Sequence, residues 1–265
     1  MSTDRKNPDN IQTIDANRHR KLRVKPNPGS EHARQQHVVG IMLSELAVCA
    51  STFPLVLIER PDAGKYQLVA ILGLRSGENV FYGPQFWESP YVPLGIQRHP
   101  FIIGYDDRLP NGEQITTCVE IDSPFLSEKE GIPLFTETGE QSDFLKGVDQ
   151  LLSAMFESQK LTGQFIQKLI ELDLVCPLNL LLQKQDGEVR QVAGLFTLDE
   201  LKLKALTTEQ LRDLHQSDFL APCYIMLASL HQLNPMVRMR NRRGTRDEQI
   251  TDFRLEFNVP SPATA

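Results

Sequence analysis

Short apolar runs separated by turn-forming residues occupy much of the chain between residues 36 and 121. Four of these runs form two pairs, each joined by a segment rich in Pro, Asp, Asn and Gly, which is typical of β-hairpins. The pairs are "FPLVLIER" (53–60) with "YQLVAILGL" (66–74) across "PDAGK", and "FIIGYDD" (101–107) with "ITTCVEI" (115–121) across "LPNGE". The pattern also predicts a strand at "NVFYG" (79–83). Residues 36–51 fit a strand leading into a short helix, and their type stays open.

From residue 142 the apolar period changes to that of a helix. Apolar residues recur three and four positions apart from Phe144 to Phe156, and Ser142 is a favourable N-cap. We expect an amphipathic helix here and a second helix that begins at Thr162.

The remaining ordered segments are predicted to be one hairpin and three helices. "LNLLLQ" and "VRQVAGLFTL", joined by "QDGE", predict a β-hairpin over 179–198. Asp199 and Thr207 are N-cap candidates for two short helices. A last helix, over 218–233, is apolar on nearly every side, so we expect it to be buried.

These elements predict an α+β fold, with a β-rich N-terminal half packed on a mainly helical C-terminal half that carries one β-hairpin. The chain of 265 residues suffices for one large domain or two small ones. The expected parts are a disordered arm (1–19), a β-rich part (20–141), a helical part with the hairpin (142–236), and a basic C-terminal segment and tail (237–265).

Composition favours an ordinary globular protein of the cytoplasm. Hydrophobic residues make up 40% of the chain, but the longest apolar runs, such as 54–58, are far shorter than the ~18 residues of a membrane span. Residues 1–25 are polar and lack the apolar core of a signal peptide. The four cysteines form no CxxC pair, so we expect buried free thiols and neither a metal site nor a cofactor.

Positive charge is concentrated in two basic patches near the ends of the chain. The patches are Arg18, Arg20, Lys21, Arg23 and Lys25, and Arg238, Arg240, Arg242, Arg243 and Arg246. The net charge of −6 becomes −16 when these ten residues are left out. Such patches fit contacts with nucleic acid, anionic lipid or an acidic partner. They equally fit solvated arms or segments that fold back on the acidic body, and they contain no interleaved aromatic residue for stacking on bases.

The stretch "LGLRSGENVF" (72–81) has glycine spacing that invites comparison with a phosphate-binding loop. Such a loop leads into a helix N-terminus, whereas the residues that follow Gly77 are typical of a strand. We therefore predict a strand–turn–strand with positive φ at Gly77, and an ion pair between Arg75 and Glu78. The motifs of nucleotide-binding loops, serine hydrolases and zinc proteases are absent, so no catalytic residue is assigned.

One loop-rich region gathers polar and aromatic residues that are candidates for a ligand site. These candidates are Arg75, Glu78, Asn79, Trp87, Tyr91, Arg98 and His99. Arg98 and His99 precede Pro100, so the pair either binds an anion or continues into an extended strand.

A series of motifs then resembles a known family. The motifs are "FPLVLIE", "VAILGLRSGENVFY", "WESPYVPLGIQRHPFIIG", "EKEGIPLFTETGE" and "GLFTLDELKLKALTTEQLRDLHQSDFLAPCYIMLASLHQL". Their order and spacing, from about Gln36 to Leu233, resemble the SapC-like family of bacterial proteins. His99 departs from the tyrosine common in that family, and Gln97 from a basic residue. The family is named for surface-layer protein transport and is often labelled a peptide-transport permease, and the resemblance implies no established catalytic residues. It implies an accessory role in envelope transport or uptake.

Three functions remain open at this point. The first is a non-catalytic accessory or adaptor protein that binds a polypeptide or assembly partner linked to envelope transport or uptake. The alternative is a small-ligand-binding protein or enzyme with a cleft near residues 75–99. The third, nucleic-acid binding through the basic patches, is the least favoured because the body is acidic. The sequence leaves the oligomeric state open.

Overall fold

A computed structural model describes residues 10–25, 30–60, 65–105, 115–245 and 248–257, and it confirms the α+β class. The α-helices of these residues are α1 (Ala16–His19), α2 (Leu46–Ala50), α3 (Leu94–Gln97), α4 (Asp143–Glu171), α5 (Glu200–Lys204), α6 (Thr208–Gln216), α7 (Leu220–Ser229) and α8 (Leu233–Arg243). The strands are β1 (Ile11–Thr13), β2 (Arg23–Val24), β3 (Val38–Gly40), β4 (Leu55–Arg60), β5 (Lys65–Ile71), β6 (Phe101–Tyr105), β7 (Ile115–Glu120), β8 (Leu126–Ser127), β9 (Ile132–Pro133), β10 (Val175–Lys184), β11 (Val189–Leu198) and β12 (Ile250–Phe257). Short 3-10 helices occur at Glu31–Ala33, Leu43–Glu45 and Leu230–Gln232.

The main sheet is antiparallel and combines strands from both halves of the chain. Its order is β12-β10-β11-β4-β5-β3. The hairpin β4–β5 meets the hairpin β10–β11 where Leu195 pairs with Ile58 and Phe196 with Leu57. Both hairpins were predicted from the sequence, as was the β6–β7 hairpin. The turn segments "PDAGK", between β4 and β5, and "LPNGE", between β6 and β7, lie largely outside the described residues.

A smaller sheet, β1-β7-β6, corrects the expectation that residues 1–19 are disordered. Ile11 to Thr13 pair with Glu120 to Cys118, and the carboxylate of Asp15 caps α1 by accepting from the amide of Asn17. The polar composition of the arm concealed this strand, because only three residues form it and its partner lies more than 100 positions away. Residues 1–9 lie outside the described part of the chain.

α4 is one continuous helix of 29 residues and not the predicted pair of helices. Ser142 caps it as expected, and its hydroxyl accepts from the amide of Leu145 at 3.2 Å. Thr162 was predicted to start a new helix, but its hydroxyl donates back to the carbonyl of Ser158 at 2.6 Å and accepts from the amide of Leu43 at 2.9 Å. A threonine can act as an N-cap or lie inside a helix with its hydroxyl bonded to the preceding turn. Here the hydrogen bond with Leu43 favours the position inside the helix.

The buried stripe of α4 joins two hydrophobic clusters. The first half of the helix packs with Leu22, Val24, Phe101, Val119 and Leu134 in the smaller cluster. The second half, through Phe165, Ile166 and Leu169, belongs to the larger cluster with the main sheet, α7 and α8. Helix α4 therefore fixes the main sheet and the β1-β7-β6 sheet relative to each other.

Residues 79–83 form a turn in place of the predicted strand. Asn79 is buried, its amide donates to the carbonyl of Ala33 at 2.8 Å, and its side-chain oxygen accepts from the amide of Phe81 at 2.9 Å. Tyr82 makes only an isolated bridge to Trp87. The asparagine side chain replaces the ladder hydrogen bonds that a strand would need.

The C-terminal segment is more ordered than the predicted basic tail. The helix predicted over 218–233 is α7, which is followed by the 3-10 turn Leu230–Gln232 and by a further helix, α8, that extends to Arg243. Strand β12 then lies at the edge of the main sheet. A period-two signal for β12 was present in the sequence, since the apolar residues Phe253, Leu255 and Phe257 alternate with Asp252, Arg254 and Glu256.

Ser229 supplies a test of the packing between α7 and the main sheet. Its buried hydroxyl accepts from the amide of Leu55 at 2.9 Å and donates to the carbonyl of Met226 at 2.6 Å. Ser229→Ala leaves the buried amide of Leu55 without this acceptor, so the free energy of unfolding should fall by about 1–3 kcal/mol in urea denaturation. The control is Ser51→Ala, whose exposed hydroxyl donates to the carbonyl of Val48, and which should change it by less than about 0.5 kcal/mol. Equal effects of the two substitutions would contradict the prediction.

Candidate functional site

Arg75 and Glu78, the first two candidates, belong to a charged network that ties the 75–78 turn to α8. The Nε atom of Arg75 lies 3.2 Å from Oε1 of Glu78, so the predicted ion pair is present, and Gly77 has the predicted positive φ of 77°. Arg240 of α8 reaches the same carboxylate oxygen at 3.2 Å, and Arg75 also pairs with Glu248 at 2.8 Å. The hydrogen bond from Arg75 holds the pKa of the Glu248 carboxyl below its usual value. This network stabilises a junction of distant segments.

Trp87 and Asn79 contribute to packing at their positions. The indole of Trp87 is 7% exposed, lies 6.2 Å from the ring of Phe53 and 6.3 Å from that of Phe81, and donates its N–H to the carbonyl of Tyr91 at 2.9 Å. The side chain of Asn79 makes the two hydrogen bonds, with Ala33 and Phe81, that were described for the 79–83 turn. Both side chains have their polar groups satisfied within the fold.

Tyr91 leads to a buried carboxylate, Glu45, that the sequence reasoning missed. One oxygen of Glu45 accepts from the hydroxyl of Tyr91 at 2.9 Å and from the amide of Leu94 at 2.9 Å, and the other accepts from the amide of Met42 at 3.1 Å. The thiol of Cys49 is 3.7 Å away. Burial, followed by the charge of Glu45, raises the pKa of both Tyr91 and Cys49. An acid inside the apolar run "IMLSELAVC" was the available sequence signal.

Arg98 and His99 lie in a third environment, beside β6 and β7. Burial lowers the pKa of the Arg98 guanidinium, which donates to the carbonyl of Phe101 at 2.7 Å. The ring of His99 stacks on that of His32, with centroids 4.0 Å apart, and its Nδ1 lies 3.6 Å from Glu120. Its Nε2 is 3.2 Å from the hydroxyl of Ser123.

The order Ser123, His99, Glu120 has the residue types of a hydrolase triad, yet the surroundings do not equip it as one. Ser123 is 9% exposed, and its hydroxyl also accepts from the amide of Phe125 at 3.4 Å. Neither of the two cavities described next is lined by any of these three residues. A nucleophile needs room for the reacting group and aligned donors for the developing oxyanion. Neither cavity offers that room at Ser123, and the contacts of His99 with Ser123 and Glu120 join these positions within the fold.

Two cavities lie along α4, away from the seven candidates. One, of about 410 Å³, is bounded by β7, α4 and the 135–141 loop, and Asp149 at its wall accepts from Thr117 at 2.5 Å and from Gln141 at 2.9 Å. The other is an open groove of about 770 Å³ along the second half of α4. None of the seven candidate residues lines either cavity, so a ligand site at residues 75–99 stays a prediction.

The basic patches are partly engaged with the body of the protein. Arg240 is buried against Glu78, and Arg243 donates to the carbonyl of Tyr82 at 2.7 Å and contacts Glu88. In the first patch, Arg23 donates to the carbonyl of Gly131 at 3.1 Å and Arg20 to that of Glu137. The side chains of Arg18, Lys21, Arg238 and Arg242 are exposed, Lys25 is half-buried, and Arg246 lies outside the described residues. Several of the arginines thus fold back on the chain and are not displayed as a continuous cationic surface.

The described ranges contain neither a bilayer-spanning helix nor a grouped set of metal-ligating side chains. No helix there combines the length and apolarity that a bilayer crossing requires. No group of three or more His, Cys, Asp and Glu side chains is placed to hold a metal ion in the same ranges.

Comparison with known proteins gives one positive result. The SapC family model matches residues 14–236. The chain belongs to the SapC family. No curated protein and no solved structure matches it. The SapC match covers α1 to the first turn of α8, so β1 and β12 lie outside it.

The C-terminal basic patch of this SapC-family chain has a buried part and an exposed part on α8. Arg240 belongs to the buried part and Arg238 to the exposed part. The side chain of Arg240 is 10% exposed, whereas Arg238 is exposed. Arg240→Ala removes one of the two arginines that pair with Glu78, while Arg75 remains paired with it. The carboxylate therefore keeps one partner, and the free energy of unfolding should fall by about 2 kcal/mol. Arg238→Ala should change it by less than about 0.5 kcal/mol in the same urea titration. A larger loss for Arg238→Ala would contradict this assignment.

The buried thiols of the SapC-family chain should make it less stable at alkaline pH. Burial raises the pKa of Cys176 to about 11 and that of Cys223 to about 12, from an ordinary value of 9.0. The unfolded chain therefore releases these protons first as the pH rises from about 9 to about 11, and the free energy of unfolding should fall in that window. Urea titrations at about pH 8 and about pH 10 measure the fall. The double substitution Cys176→Ala/Cys223→Ala should make it shallower, and an unchanged fall would contradict the prediction.

Proposed function

We propose that this SapC-family protein is a non-catalytic, cytoplasmic accessory or adaptor protein that binds a polypeptide partner linked to envelope transport or uptake. The observation that carries the proposal is an apolar face of α7 that the described chain leaves exposed. An exposed apolar helix face is a common feature of protein-binding surfaces.

Helix α7 has no charged residue in its ten positions, "LAPCYIMLAS". Its buried side is formed by Cys223, Met226 and Ser229. Its outer side is formed by Ala221, Tyr224 and Ala228, at helical spacing. The expected full burial of this helix was therefore wrong, because the protein covers one side only. Water contact with the outer side is unfavourable, and a partner that covered it would gain the free energy of apolar burial.

Tyr224 is the residue on this face best suited to anchor a partner. It is 46% exposed and has an apolar ring with a polar tip, a type enriched at protein interfaces. The flanking residues Leu220, Ile225 and Leu227 are half-buried, and α2, which packs on α7, exposes Val48 at 43%. The surface therefore fits apolar and aromatic side chains of another polypeptide more readily than a charged ligand.

The test is recovery of partners from a native extract by the tagged protein. Tyr224→Glu places a charge at the centre of the face and should abolish recovery of any protein retained by the wild type, with little effect on stability because the position is exposed. The matched control is Val189→Glu, which adds the same charge at an exposed apolar residue of the β10–β11 hairpin and should leave recovery unchanged. A wild-type protein that retains nothing above background, or equal recovery by both variants, would contradict the proposal.

A further inference from the structure

Strand β12 ends the main sheet and has no strand on its outer side among the described residues. It pairs with β10 in regular register from Asp252, opposite Gln183, to Phe257, opposite Leu178. The register shift is confined to its start, between Ile250 and Asp252. Alternate residues of this six-residue stretch therefore present their backbone N–H and C=O groups to the surroundings in a regular row, since the others direct theirs to β10.

The two edges of this sheet differ in their protection. The opposite edge, β3, has only three residues and is contacted by α3. Natural edge strands are otherwise protected by shortness, proline, bulges or charged side chains, especially lysine. The regular part of β12 contains no proline, and its charges alternate in sign through Asp252, Arg254 and Glu256. Alternating charges do not repel an incoming strand of matching pattern.

The side chains of β12 are complementary to a second copy of the same strand. In an antiparallel pair centred on Leu255, Arg254 of each copy lies opposite Glu256 of the other, and Phe253 lies opposite Phe257. Opposite charges and aromatic pairs directly across an antiparallel ladder both stabilise it. A pair centred on Arg254 would instead place Arg254 against itself and Asp252 against Glu256. A pair centred on Phe253 would set Asp252 against Arg254 and Phe253 against itself, but it would also place Ile250, which lies beyond the register shift, against Glu256.

We infer that the chain forms a two-fold symmetric dimer by antiparallel pairing of β12 with β12 of a second copy, centred on Leu255. The main sheets of the two copies then join into one sheet of twelve strands, six from each copy. Opposite residues of antiparallel strands point to the same face. Phe253 and Leu255 already pack against the larger hydrophobic cluster of their own copy. On that face Leu255 meets Leu255 of the second copy, and Phe253 meets Phe257 of the second copy.

The charges available for this pairing are not committed elsewhere in the described chain. Arg254 is 76% exposed, and its single ion pair is the exposed contact with Asp252 at 3.7 Å. Glu256 is exposed and has no ion pair within the described residues. Both side chains can therefore turn to a second copy without breaking a buried contact.

The first experiment measures the dimerisation constant of the full chain by sedimentation equilibrium over a micromolar to submillimolar concentration series. Arg254→Glu and Glu256→Arg each convert both cross-strand ion pairs into like-charge pairs, so each should weaken the dimer by about tenfold or more. The double substitution Arg254→Glu/Glu256→Arg restores opposite charges and should restore the dimer. An equimolar mixture of the two single variants should also dimerise, because one copy then offers two acids and the other two bases. Val189→Glu, on the hairpin, should leave the constant unchanged.

The second experiment determines the register. A cysteine at the centre of the pairing lies directly opposite its copy, so Leu255→Cys should form a disulfide-linked dimer under mild oxidation, and Phe253→Cys should not. The native cysteines are buried in the monomer and do not compete.

Each outcome decides the inference. Charge-dependent dimers that exchange as described, with cross-linking at position 255, support it. A wild-type chain that stays monomeric over the whole series overturns it, as does a dimer indifferent to the charge substitutions. Cross-linking of Phe253→Cys in place of Leu255→Cys overturns the proposed register.

Discussion

The buried stripe of α4 is the contact on which the rest of the structure depends. Four apolar residues at its start, Leu145, Val148, Leu152 and Met155, pack with the smaller sheet, and three near its end pack with the main sheet. Between them Ser158 and Thr162 accept from the amides of Ser44 and Leu43. These hydroxyls position the 3-10 turn Leu43–Glu45, whose Glu45 in turn holds Tyr91 and Leu94. A rigid helix of about 44 Å thus connects both cores and the 91–94 loop.

This arrangement changes the meaning of the residues that looked functional. Polar groups taken out of water need partners, and the fold supplies them for Glu45, Asn79, Trp87 and Arg240 from its own atoms. For Glu45, Asn79 and Arg240 these contacts join segments that are distant in the chain. Two of the surfaces that the described residues leave open are the outer face of α7 and the outer edge of β12. Both offer what another polypeptide recognises, namely apolar area on α7 and main-chain hydrogen-bonding groups on β12.

Much of the fold could be predicted because its signals are local. The Asp199 and Thr207 caps, the turn at Gly77 and the β10–β11 hairpin each depend on residues a few positions apart. The prediction failed where a side chain bonds to a distant segment. The hydroxyl of Thr162 accepts from the amide of Leu43 and does not cap a new helix, and the side chain of Asn79 donates to the carbonyl of Ala33. The candidate site was less predictable because its contacts are with residues far away in the chain. Arg75 pairs with Glu248, and the ring of His99 stacks on that of His32.

The sequence by itself determined the α+β class, the family resemblance and the positions of β4 to β7, β10, β11 and α5 to α7, because periodicity, turn residues and caps act over a short stretch of chain. Only the tertiary structure decided which charges are paired and which apolar surfaces are covered. Helix α7 shows the reason. A helix that is apolar on nearly every side is expected to be buried, but its sequence does not show which neighbouring elements bury it. Burial depends on distant neighbours. Here they cover one side of α7 and leave the other, like the edge of β12, exposed.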